Sequence, residues 1–180
     1  MGISGASGAI YGVRLLEELE KRKIETHLIV SHAAEQTIKI EVGMTVNQLK
    51  DLATVYYNIN DLQAPIASGD FKTDGMVVIP CSMKTLAGIA NGYSDNLLLR
   101  AADVTLKEGR RLVLVPRETP LNPIHLENML KLSKIGVTIL VAAPAFYHRP
   151  KTVDDLVGYI VGKVLDVFDI KHKLYKKWRA

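Results

Sequence analysis

Met1-Gly2-Ile3-Ser4-Gly5-Ala6-Ser7-Gly8 opens the chain and runs straight into Ala9-Ile10-Tyr11-Gly12-Val13-Arg14-Leu15-Leu16, which has the character of a helix. A glycine-rich turn feeding a helix N-terminus is a ready anion site. Unpaired N–H groups face outward, the helix dipole favours negative charge, and missing Cβ atoms allow close approach. Ser4 and Ser7 add hydroxyls. The spacing, G-x-S-G-x-S-G, is neither the dinucleotide fingerprint G-x-G-x-x-G nor a Walker A loop, because no Gly-Lys-Ser/Thr follows. A loop of this type normally follows a buried strand. Met1 to Ile3 therefore predicts either a very short strand or one that continues upstream.

Working outward, apolar runs alternate with helical periodicity. Strands are predicted over 26–30, 75–80, 112–115 and 137–142, and helices over 9–22, 33–41, 46–53, 86–90, 96–108 and 123–136. Residues 56–72 carry Asn58, Asn60, Asp61, Pro65, Ser68, Gly69 and Asp70 and read mainly as loop. A last helix starts with a Thr152/Asp155 capping pattern. Val153, Leu156, Val157, Ile160, Val161, Val164, Leu165 and Phe168 form its apolar face, with Lys163 on the flank. Continuously apolar strands alternating with helices are the mark of a parallel sheet covered on both faces. The expected fold is thus α/β: a three-layer, doubly wound parallel sheet, flavodoxin-like or Rossmann-like. It is expected to form a single domain over 1–180, with a tail from about 169 to 180.

The 180 residues are 48% hydrophobic and 23% charged, ordinary for a globular protein, and the net charge is +4. That charge suits a small anionic ligand and is too weak to argue for nucleic acid. The basic cluster Lys171-His172-Lys173-Leu174-Tyr175-Lys176-Lys177-Trp178-Arg179 reads as a solvated tail. One cysteine, no signal peptide and no membrane-spanning apolar run point to the cytoplasm. Cys81 reads as a small buried residue, and the five histidines lack ligand spacing, so no metal site is expected.

In open α/β sheets ligands bind beyond the carboxyl ends of the strands. The residues falling there are Ser4 to Gly8, Ser31-His32, Cys81 to Thr85, Arg117-Glu118 and Phe146 to Arg149. A dinucleotide domain usually places Asp or Glu after its second strand to hold a ribose. Here the residue is Ser31, which disfavours NAD and suits a monophosphate such as FMN.

Five stretches, in order, carry a resemblance. They are Gly2 to Gly8, Pro80-Cys81-Ser82-Met83-Lys84-Thr85-Leu86, Arg100 to Glu108, Val115-Pro116-Arg117-Glu118-Thr119-Pro120, and Pro144-Ala145-Phe146-Tyr147-His148-Arg149-Pro150. Over almost its whole length the chain resembles the UbiX flavin prenyltransferase family. The resemblance implies joining of the dimethylallyl group of dimethylallyl monophosphate to N5 and C6 of reduced FMN. It also implies delivery of prenylated FMN to a UbiD-type decarboxylase, no metal, and a dodecamer with sites between subunits. By the same match, Gly5, Ala6, Ser7, Ser31, Ser82, Met83, Lys84, Thr85 and Arg117 hold FMN, and Tyr147 and Lys163 hold the prenyl phosphate. Ser7, Glu41, Lys107, Glu118 and Trp178 match further active-site positions. Lys163 stands where some members have Arg, which keeps the charge and changes the geometry.

The chemistry asks for such residues. Without a metal, a leaving phosphate needs fixed cations and hydroxyls, here Lys107, Lys163, Ser7 and Tyr147. Glu118 can shuttle a proton, and the face of Trp178 can steady an allylic cation from which water is excluded. Two rival expectations are a flavin-dependent decarboxylase, acting on an aromatic or cysteine-derived acid, and a non-catalytic FMN carrier. For the first, neither a clear catalytic histidine nor an Asn-rich substrate loop is found.

Overall fold

In the computed structural model, which describes residues 1–178, six strands form one parallel sheet. Arg179 and Ala180, the end of the basic tail, lie outside the described residues. The strands are β1 (Gly2–Ile3), β2 (His27–Val30), β3 (Val55–Tyr57), β4 (Gly75–Cys81), β5 (Arg111–Pro116) and β6 (Thr138–Ile139). Their order across the sheet is β3-β2-β1-β4-β5-β6, the doubly wound order, with the direction of winding reversing between β1 and β4. The helices are α1 (Ala9–Lys21), α2 (His32–Glu41), α3 (Val46–Lys50), α4 (Met83–Ala90), α5 (Leu97–Lys107), α6 (Pro123–Lys134) and α7 (Val153–Val167).

Strand alternation makes the three layers. Met76 and Val78 of β4, with Leu112 and Leu114 of β5, face a core built with Leu86, Leu97, Leu98 and Leu132 of α4, α5 and α6. Val77, Ile79, Val113 and Val115 face the other way, against Leu15 and Leu19 of α1 and Val157, Ile160, Val161 and Val164 of α7. Each fully buried Leu or Ile contributes roughly 1.5–3 kcal/mol, so the middle strands are the most firmly held. Cys81 is fully buried, and burial pushes its thiol far above the ordinary value, which leaves it inert as a nucleophile.

Four expectations need correction. The stretch read as loop holds an edge strand, β3, paired to β2 through Val55, Tyr56 and Tyr57, and a short 3-10 turn at Pro65–Ala67. The helix α4 starts at Met83 rather than Leu86, because Ser82 caps it. Both α3 and β6 are shorter than their apolar runs. The basic tail is not solvated along its length: it turns back over α7, with Ile170 and Leu174 against the α1–α7 core.

Candidate active site at the winding reversal

The reversal point brings the loops after β1 and β4 side by side. Ser4, 1% exposed, fastens them. Its hydroxyl donates to the Pro80 carbonyl (3.0 Å) and accepts from the Ser82 N–H (2.7 Å). Three helices begin here. Ser31 caps α2 by accepting from the Ala34 N–H (3.2 Å), and Ser82 caps α4 by accepting from the Thr85 N–H (3.3 Å). The Ser82 hydroxyl also donates to Thr85 Oγ1 at 3.0 Å. Each cap is worth about 1 kcal/mol. It satisfies one of the first N–H groups and leaves the others of that turn outside the helical ladder.

The third helix, α1, has no side-chain cap of its own. Gly8 precedes it with φ +97, a left-handed conformation that glycine adopts without strain. Glu41 fills the gap: its Oε2 accepts from the Gly8 N–H (2.8 Å) and the Ala9 N–H (2.9 Å). This is possible because α2 lies across the opening loop. Its first turn packs Ala33 on Gly5 so closely that any Cβ there would overlap, and its last residue reaches Gly8. Burial opposes ionisation of Glu41. The Ser7 hydroxyl, the Ala9 and Gly8 N–H groups and Arg117 outweigh it and hold the carboxyl below its ordinary value. Arg117, at the carboxyl end of β5, completes the ring by donating from Nε to the Ser7 carbonyl (3.0 Å). Glu118 follows it, exposed, and accepts from the Thr119 N–H at 3.0 Å.

A second group gathers on α7. Tyr147 stands edge-on to Tyr159 (6.2 Å between ring centres) and to Trp178 (5.2 Å). His148 stacks on Tyr159 at 5.4 Å and 5°, and neither of its buried ring nitrogens has a hydrogen-bond partner among the described residues. Lys163, half-buried, lies one turn beyond Tyr159 on the same helix. A cleft of about 650 Å³ separates the 148–151 loop from the tail and is rimmed by Arg149, Lys151, Lys173, Lys176 and Lys177.

The structure therefore brings Gly5, Ala6, Ser7, Ser31, Glu41, Ser82 to Thr85, Arg117 and Glu118 to one edge of the sheet, and brings Tyr147 and Trp178 together beside Tyr159 of α7, with Lys163 one turn further along that helix. Lys107 joins neither within one chain. It ends α5, four residues before β5 begins, so it lies at the amino edge, where it pairs with Glu108. The sequence offered the Ser4 hydroxyl as a donor to an anion; instead it is buried and spent on the Pro80 carbonyl and the Ser82 N–H, so Ser4 fastens the first group, as Asp166, which the sequence did not single out, fastens the second. A serine directly after a strand at the reversal point was a usable signal for the first; a lone acid late in a helix was none for the second. Among the described residues, no cluster of three His, Cys, Asp or Glu side chains stands ready for a metal ion, and no helix is long and apolar enough to cross a membrane.

A doubly wound parallel sheet with three helix N-termini and a buried serine clasp at its winding reversal defines an anion-binding α/β protein of the flavin-binding kind. A family model described as Flavoprotein matches residues 1–168. The chain is 52% identical to flavin prenyltransferase UbiX of Methanocaldococcus jannaschii, covering 98% of this chain and 95% of that one. It is 54% identical to a probable UbiX-like flavin prenyltransferase of Bacillus subtilis, covering 100% and 88%. The crystal structure of a dodecameric FMN-dependent UbiX-like decarboxylase from Escherichia coli O157:H7 superposes with a TM-score of 0.97 at 53% identity, covering 99% and 97%. AnUbiX in complex with FMN and dimethylallyl pyrophosphate gives 0.97 at 47%, covering 99% and 95%. The chain belongs to the Flavoprotein family and, within it, to the UbiX-like flavin prenyltransferases, as the five motifs implied. Peptidyl-cysteine decarboxylase EpiD, 21% identical with a TM-score of 0.63, shares the fold alone.

Proposed function

We propose that this chain joins the dimethylallyl group of dimethylallyl monophosphate to N5 and C6 of reduced FMN, and that the prenylated FMN serves a UbiD-type decarboxylase. The observation that carries the reading is the clasped, three-helix anion site at the reversal point, in a chain more than half identical to UbiX enzymes over nearly its full length. The site fits a phosphorylated flavin. The Glu41 carboxylate already rests on two N–H groups of α1 as an internal anion, and Arg117 stands beside it. Gly5, Ala6, Ser7, Ser31, Ser82, Met83, Lys84, Thr85 and Arg117 would hold the cofactor. Bound there, reduced FMN supplies the two electron-rich ring positions that accept the prenyl carbons.

The remaining work falls to side chains. Breaking the allylic C–O bond sends its electron pair to the phosphate, and the growing charge needs cations held in place beforehand. Tyr147 donates its hydroxyl to that phosphate, and Lys163 and Lys107 bring ammonium groups. Glu118 moves a proton between flavin and leaving phosphate, with Glu41 and Ser7 adjoining. Trp178 offers an aromatic face to the allylic fragment. Lys107 reaches this chemistry only from another copy, since its own chain places it on the far edge. The working form is a homo-oligomer, by analogy with the dodecameric neighbour, and a shared site excludes water. Exposed Ile124, Leu126, Leu130 and Ile135 on and just after α6 give apolar surface for packing copies together. A single buried cysteine and the absence of a membrane-crossing helix among the described residues support a cytoplasmic setting.

Anaerobic incubation with reduced FMN and dimethylallyl monophosphate tests the reading. A heavier flavin, detected by mass, is the expected product; unchanged FMN from a properly loaded protein overturns it. The E. coli neighbour is described as a decarboxylase, so release of carbon dioxide from an aromatic acid by the isolated chain is the outcome that would favour the rival.

A further inference from the structure

After α7 the chain reverses and runs back along that helix toward Tyr147. Three side chains of this returning segment converge on one carboxylate. Asp166 accepts from the Tyr175 hydroxyl at 2.5 Å, from His172 Nε2 at 3.1 Å and from the Lys177 ammonium at 3.1 Å. Burial opposes ionisation of Asp166, but these donors, Tyr175 first, outweigh it and keep its carboxyl below the ordinary value. The helix is shaped to receive the segment. A Cβ on Gly162 would stand 2.7 Å from the rings of Tyr175 and His172, and one on Gly158 would stand 3.2 Å from the Leu174 carbonyl. Three residues past Tyr175, the indole of Trp178 meets the ring of Tyr147 edge-on at 5.2 Å, with 63% of the residue still exposed.

We propose that Asp166 is a positioning residue for prenyl transfer: by gathering Tyr175, His172 and Lys177 it fixes the returning segment on α7 and thereby holds Trp178 against Tyr147. This rests on the reading of Tyr147 and Trp178 as prenyl-site residues. The physical need is plain. A segment of ten residues has many conformations, and an aromatic wall delivered by a loose segment is present only part of the time. One carboxylate taking three hydrogen bonds, two of them from side chains able to carry positive charge, is stronger than three separate neutral contacts. The Gly158 and Gly162 notches fix where the segment lies, and Asp166 fixes that it stays.

Trp178 is the only tryptophan in the chain, so its position can be read directly. In Asp166→Ala, as holoenzyme with FMN bound, the tryptophan anisotropy falls and acrylamide quenching rises about twofold or more. KM for dimethylallyl monophosphate rises about tenfold, with FMN affinity unchanged. Asp166→Asn, which keeps an acceptor for Tyr175, recovers part of both signals. Trp178→Ala shows the same KM defect, and the double variant is no worse than Trp178→Ala alone, because both act through one contact. Should Asp166→Ala fail to fold, Gly162→Ala lifts the segment with Asp166 intact and is expected to give the same pair of changes. Unaltered anisotropy in a folded variant, an unaltered KM, or losses that multiply in the double variant overturn the proposal. A wild-type protein that makes no prenylated flavin overturns the functional reading instead, and the anisotropy arm still reports whether Asp166 holds the segment.

Discussion

At the carboxyl edge of the sheet, hydroxyls, N–H groups, Glu41 and Arg117 point at one another across the β1–β4 reversal. At the amino edge the situation is the opposite, although a cavity of about 1150 Å³ opens there between His27, Phe71, Gly75, Arg111 and Phe168. Its two arginines are already engaged. Arg110 donates to the Phe71 carbonyl (2.7 Å) and the Gly69 carbonyl (2.6 Å), and Arg111 to the Val167 carbonyl and Asp169. Space alone does not make a site. The carboxyl edge has donors left over because helices begin there; the amino edge receives helix C-termini, and its arginines are spent on the last carbonyl of α7 and on carbonyls of the loop before β4.

The sharpest break between the edges is chemical. Glu118→Gln, at the carboxyl edge, is expected to lower kcat by about 10² to 10³-fold with FMN still bound, measured by single-turnover product formation. Lys107→Ala, at the amino edge, is expected to be nearly as poor, but for a reason that mixing exposes. Co-assembled Glu118→Gln and Lys107→Ala chains rebuild intact sites from opposite partners and regain up to about a quarter of wild-type activity. No recovery would mean that Lys107 serves its own chain or none. Arg117→Ala removes a charged donor from the carboxyl edge alone, and FMN affinity falls about ten- to a hundredfold by titration. Ser4→Ala leaves the Ser82 N–H without its acceptor and lowers stability by about 1–3 kcal/mol, read from denaturant unfolding.

The smallest effect is on the acid limb. Since Glu41 ionises more readily in the folded chain than its ordinary value, its contribution is fully present above the unfolded carboxylate range. It is lost as pH falls through the lower, folded value. Glu41→Gln flattens that part of the stability–pH curve by lowering the neutral plateau slightly, so the two proteins differ at neutral pH and converge in acid, which a pH series of melts would register.

The strands that form the middle of the sheet were plain in the sequence because they are buried on both faces, and 75–80 and 112–115 have no other use for so many apolar residues. The edge strand β3 was not, since Val55-Tyr56-Tyr57 is half-buried, three residues long and followed by turn formers. The loops of the candidate site were legible as motifs. Their mutual arrangement was not, because Ser4 joins residues 78 apart in sequence. The place of Lys107 could have been read: a crossover helix in such a sheet ends at the amino edge, so the last residue of α5 had to lie away from its own chain's loops. The docking of the tail had no local signal at all; it depends on notches at Gly158 and Gly162 that mean nothing until a partner segment fills them.

Glu41 gives the opening turn a tenant. With a carboxylate already seated on Gly8 and Ala9, the first helix folds against a negative charge whether or not a flavin is at hand. That carboxylate gives the turn its shape from within the chain, and any phosphorylated ligand competing for the same two N–H groups would have to exchange with it, anion for anion.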